Sequence, residues 1–113
     1  MSDFVVHKLN IKLLDGIDAG TSIDSDPINI QSISLYCLQI TWSAFSAINP
    51  QVALLGSNSL EENFVQIDGF IPSGTTGGRL VNVEKAGYAY IKVVYSCTSG
   101  SGQLTVSING KVS

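Results

Sequence analysis

The chain has 113 residues, enough for one domain around one core. Its net charge is −3, and Lys8, Lys12, Arg79, Lys85, Lys92 and Lys111 are scattered along it, which argues against nucleic acid as a partner. Charged residues make up only 13%, so Ser, Thr, Asn, Gln and Gly supply the polar surface, and no basic amphipathic helix marks a membrane-binding segment.

The dominant hydrophobic period is two. In HKLNIKLL, Leu9, Ile11 and Leu13 alternate with Lys8, Asn10 and Lys12, the pattern of a half-buried strand. DGIDAGTSIDSDP, residues 15–27, is a turn-rich connection with room for a short strand at Thr21 to Asp24. INIQ and SISLYCLQITW follow. In the second, Tyr36, Leu38, Ile40 and Trp42 share one face and Leu35, Cys37, Gln39 and Thr41 the other, which predicts a strand covered on both sides. After SAFSAINP, QVALLGSNS sets Val52 and Leu54 on one side and Gly56 where a strand bends or bulges.

SLEEN is at most one helical turn, NFVQIDGF is a further strand, and IPSGTTGG is the most flexible stretch. Pairing resumes in RLVNVEKAGYAYIKVVYS, where Tyr88 and Tyr90 are read as facing the same way as Lys92. GQLTVSINGK closes the chain with Leu104, Val106 and Ile108 inward. Tyr90 to Ser96 and Gln103 to Asn109 are read as an antiparallel hairpin whose wide loop is Cys97 to Gly102.

No segment keeps a 3.6 period over a dozen residues, and eight or so short strands imply an all-β, antiparallel β-sandwich of jelly-roll-like type. The alternative is an immunoglobulin-like sandwich. Cys37 and Cys97 superficially suit it, yet Trp42 follows Cys37 on the same strand, whereas the immunoglobulin pattern places the Trp on the next one. MSDFVVHKLNIKLL carries no secretion signal, so synthesis in a cytoplasm is expected, with the two cysteines as free thiols and a disulfide between them left open.

The chemical motifs are weak. SGSG precedes a strand rather than a helix, and no Lys follows until Lys111, so it lacks the parts of a phosphate loop. His7 is the one histidine and no nucleophile elbow accompanies it. Asp15, Asp18, Asp24 and Asp26 are the candidates for a metal site. Asp15, Gly20 and Asp26 occupy positions one, six and twelve of a calcium loop, but Ile17 and Ala19 stand where ligands belong. Turn capping is the plainer role for these carboxylates. Glu61, Glu62, Asp68 and Glu84 offer carboxylates without a defined pair. Trp42, Tyr36, Tyr88, Tyr90 and Tyr95 are either core or a sugar-stacking platform.

The arrangement SIDSDPINIQSISLYCLQITWS, then VALLGSNS, then YAYIKVVYSCTSGSGQLTVSINGK resembles small β-sandwich virion structural proteins of tailed bacteriophages, of the capsid cement or decoration type. The matching pattern runs over Asp26 to Gln31, Trp42, Val52 to Asn58 and Tyr88 to Leu104, most of the chain from Ser22 onward. The resemblance implies a non-enzymatic protein without cofactors that binds the major capsid protein or another virion protein. It further implies a protein assembled in the host cytoplasm and located in the virion. Separately, a sandwich leaves edge strands, and Val5 and Val6 precede the alternating part of FVVHKLNIKLL, so Phe4 to Leu14 are expected to pair with or lie across another subunit, as a homodimer or homotrimer on the particle. Residues 1–20 would be an N-terminal strand or extension touching a neighbouring subunit, and 21–113 the sandwich core of a single domain. Phe4, Val5, Val6, Tyr88, Tyr90 and Lys92 are the candidate subunit contacts. The alternative function is a carbohydrate-binding or host-adsorption module of a phage tail or fibre.

Overall fold

The computed structural model describes residues 8–30, 33, 35–61, 63–84 and 88–111. Phe4, Val5, Val6 and His7 therefore lie outside the described residues. Nine strands follow one another: β1 (Lys8–Asp18), β2 (Ile23–Asp24), β3 (Ile28–Asn29), β4 (Leu35–Ile48), β5 (Gln51–Ser57), β6 (Val65–Phe70), β7 (Gly77–Glu84), β8 (Tyr90–Ser96) and β9 (Ser99–Lys111).

They form two antiparallel sheets. The first has the order β1-β9-β4-β7 and the second β2-β8-β5-β6, with β3 also pairing β8. Because β2 and β3 lie end to end along β8, they act as one interrupted strand. The chain then changes sheet at every step except from β5 to β6, and its first and last strands lie side by side. That is the strand order of a jelly roll. It excludes the immunoglobulin-like alternative, in which several consecutive strands are neighbours in one sheet.

Between the sheets lies one core. Leu104, Val106 and Ile108 of β9, Ile91, Val93 and Tyr95 of β8, and Tyr36, Leu38, Ile40 and Trp42 of β4 meet Val52 and Leu54 of β5 there. Burying each such side chain contributes about 1.5–3 kcal/mol, which outweighs the local preferences of the connecting turns. β8 alternates half-buried and buried residues along its whole length, so Ile91, Val93 and Tyr95 form its core face.

Several local expectations are corrected. β8 and β9 are not a hairpin, because they belong to opposite sheets and only Cys97 and Thr98 join them. SGSG is part of β9: Ser99, Gly100 and Ser101 pair with Ile48, Ala47 and Ser46 of β4. β4 continues through SAFSAI because an extra residue around Ala44, at φ 50, lets the strand bend and bury Phe45. It is also covered on one face only, since Gln39 and Thr41 are exposed.

β1, which falls within the 1–20 segment, is the edge strand of the first sheet and runs on to Asp18. Strict alternation fails along it. Two register shifts place Ile11, Leu14 and Ile17 opposite Ile108, Val106 and Leu104, so every third residue faces inward and Leu14, not Leu13, is the buried leucine. Gly56 neither bends nor bulges but pairs in register with Val65; the shift in that pair is at Ile67 of β6, opposite Leu54 and Leu55. A Cβ at Gly56 would lie 2.7 Å from Ile67 and 3.0 Å from the Tyr88 ring, so the glycine is there for close packing.

Candidate functional site

Three of the four metal candidates have other partners. Asp15 pairs with Lys12 at 3.5 Å, Asp18 accepts the Gly20 backbone N–H at 2.9 Å, and Asp24 pairs with Lys92 at 3.6 Å, while Asp26 is exposed. Asp18 is thus a turn cap and Asp24 an edge-strand charge. Among the described residues no three His, Cys, Asp or Glu side chains gather as metal ligands. Asp68 is half-buried and accepts the Gly69 N–H at 2.7 Å. It borders a narrow apolar cavity of about 10 Å³ between the sheets.

The aromatics divide. Trp42, Tyr36 and Tyr95 are core, and Trp42 packs with Phe45 and Phe70 at ring separations of 6.3 and 6.0 Å. Tyr88 is not on a face with Tyr90 and Lys92. It precedes β8, and its hydroxyl sits 2.6 Å from that of Tyr36 at the end of the core. Burial first, then this hydrogen bond, pushes the Tyr36 phenol well above its ordinary 10.0. Burial likewise raises Tyr95, aided by Cys97, and both the Tyr95 hydroxyl and the Cys97 thiol donate to the Ala19 carbonyl, at 2.7 and 3.3 Å.

The outer face of the second sheet carries Tyr90, Lys92 and Val94 beside Leu55 and Ala53, all half-buried. Lys92 lies 5.0 Å over the Phe64 ring as well as beside Asp24, so its cation is already engaged. This face is mixed and largely occupied by its own side chains.

The outer face of the first sheet is different. Register sets Asn82, Cys37, Asn109 and Asn10 in one row across the four strands. Leu80, Gln39, Ser107 and Lys12 make the next row, and Gly78, Thr41 and Thr105 the one after. Most of these residues are exposed. Amide and hydroxyl groups dominate, and the charges within these rows are confined to the β1 edge at Lys12. Such groups lose little on desolvation when a partner supplies matching hydrogen bonds, so the face suits a broad contact with another protein. The sequence carries a signal for it, the run of Gln39, Thr41 and Ser43 between core residues of β4, which the two-sided reading of that strand concealed.

No protein-family model matches the chain, and no curated protein sequence matches it. Solved structures do. The chain superposes on the SPBc2 prophage-derived protein YomS with a TM-score of 0.60 and 12% identity, over 97% of each chain. It superposes on a subunit of Bacillus endospore appendages, a family of disulfide-linked pili, with a TM-score of 0.55 and 12% identity, over 100% of this chain and 96% of that one. At such identity the likeness is one of fold. The likeness runs over nearly all of the chain.

Proposed function

We propose that this chain is a non-enzymatic structural component of a bacteriophage particle that works by binding neighbouring protein subunits, most specifically as a capsid cement or decoration protein. The observation that carries the reading is the set of amide and hydroxyl rows across the first sheet from Asn82 to Asn10, from Leu80 to Lys12 and from Gly78 to Thr105, in which Lys12 is the one charged residue. A rigid sandwich with such a face binds a protein surface through many modest contacts without burying unpaired charge. The fold shared with a prophage-derived protein supports a phage setting, and the fold shared with pilus subunits supports an assembling role. The carbohydrate-binding alternative draws less support, because Trp42, Tyr36 and Tyr95 are committed to the core.

Quantitative mass spectrometry of gradient-purified particles tests this reading. The expected result is the protein in intact particles, in a fixed ratio to the major capsid protein, and its loss when Gln39 and Thr41 are both replaced by Lys. Particles without the protein, or binding indifferent to that double substitution, would overturn it.

A further inference from the structure

The two flanks of the sandwich are built differently. On one flank β1 is kinked by two register shifts and carries Lys12, Asp15 and Asp18, while the β2–β3 edge is broken by Ser25 to Pro27 and carries Asp24 and Asp26. Bulges, charges and proline are the devices by which a sheet edge refuses another strand. On the opposite flank β6 has one register shift and Asp68, so the contrast lies in β7. β7 pairs with β4 over eight residues, Leu35↔Glu84 through Trp42↔Gly77, without a register shift. Its Arg79 lies over the Phe70 ring of β6 at 4.8 Å. Val65, Ile67, Ile71 and Leu80, four of the eight large apolar side chains exposed among the described residues, lie on this flank.

We propose that the β7 edge binds the β7 edge of a second copy, antiparallel about a two-fold axis at Leu80, joining two four-stranded sheets into one of eight strands. A two-fold axis normal to the sheet keeps inward residues opposite inward residues, so only certain registers are open. Centred on Leu80, the register sets the two exposed leucines against each other, Gly78 against Asn82 and Gly77 against Val83. Centred on Val81 it would face Leu80 with Asn82, and centred on Asn82 it would face Leu80 with Glu84, a poor partner for an apolar side chain. The flank is as deep as the 19 Å thickness of the molecule. Along the roughly 26 Å of an eight-residue strand, this gives on the order of 500 Å² per chain, or about 1,000 Å² in all, which reaches the threshold for a specific interface. The inference rests on the edges alone and stands or falls independently of membership in a particle.

Sedimentation of the purified full chain tests it. The expected species is a dimer, twice the 12.0 kDa of the chain. Leu80→Lys sets two ammonium groups against each other and should give a folded, cooperatively melting monomer, because Leu80 is outside the core; Ile23→Lys on the guarded flank should leave the dimer intact. With Cys37 and Cys97 replaced by Ser, Leu80→Cys should cross-link two chains on oxidation, and Asn82→Cys should not, since paired Cα atoms fall within disulfide reach and those four residues apart do not. A monomeric wild type, including one that binds a different virion chain through β7, would overturn the proposal. So would a dimer indifferent to Leu80→Lys, or one that cross-links through position 82 instead of 80.

Discussion

Gly102 shows how one residue sets the course of two strands. It lies at φ 109 opposite the β4 bulge, and a Cβ there would sit 2.5 Å from the Ala44 carbonyl oxygen. Gly16 is also left-handed, at φ 58, but a Cβ there meets nothing within 4 Å. Gly102→Ala should therefore cost more than about 2 kcal/mol in urea unfolding, because strain and collision combine. Gly16→Ala should cost about 1 kcal/mol, the ordinary penalty of the left-handed region. Equal losses would show that β9 does not need its close approach to Ala44. The buried tyrosines make a second prediction. The unfolded chain releases phenolic protons from about pH 10, whereas burial keeps them on Tyr36 and Tyr95 well beyond that point. The unfolded state then binds fewer protons, so their contribution is complete below pH 10 and falls as pH rises above it. Thermal melts at pH 9 to 11 should show this decline, and Tyr36→Phe or Tyr95→Phe should each make it shallower.

At the scale of an element, the break between β2 and β3 is held by one buried hydroxyl. Ser25 donates its backbone N–H to the Val93 carbonyl at 2.8 Å, and its Oγ accepts the Val93 N–H at 2.8 Å. The side chain thus supplies the rung that the interrupted strand cannot, and the edge stays closed while Asp26 and Pro27 bulge outward. Ser25→Ala would leave the Val93 N–H buried without that partner, a loss of about 1–3 kcal/mol in chemical denaturation. Hydrogen exchange should localise it, with Val93 opening faster while the amides of β9 keep their protection. A uniform loss across both sheets would instead mean that Ser25 acts through global packing.

For the whole molecule, the topology separates the two thiols. Cys37 lies near the start of β4, whereas Cys97 adjoins Thr98, whose N–H is donated to the carbonyl of Ile48 at the other end of the same strand. A 14-residue strand keeps its ends far beyond disulfide reach. Both cysteines are free, so the melting temperature should be the same with and without reductant. A fall on reduction would point to a cross-link between chains, with Cys37, on the outer face of the first sheet, as the first residue to substitute.

Much of this molecule was legible from alternation alone. Leu104, Val106 and Ile108 are predicted inward and are buried, and Tyr36, Leu38, Ile40 and Trp42, which alternation groups on one face without saying which face is core, form the buried face of β4, because a regular strand allows each side chain only two directions. Strand number and turn frequency carry the sandwich class for a similar local reason. The failures lie where a residue answers to a distant strand. The inward face of β1 depends on bulges set by pairing with β9, and the role of SGSG depends on β4, more than fifty residues earlier in the chain. Parity groups Tyr88 with Tyr90, but Tyr88 precedes the strand and its hydroxyl meets that of the buried Tyr36. The candidate surface was harder still to see, since a row such as Asn82, Cys37, Asn109 and Asn10 spans four strands and has no existence along the chain. Local sequence determined which residues seek the core; only the register between strands, a long-range hydrogen-bonding property, decided which polar residues share a face and which edge was left open.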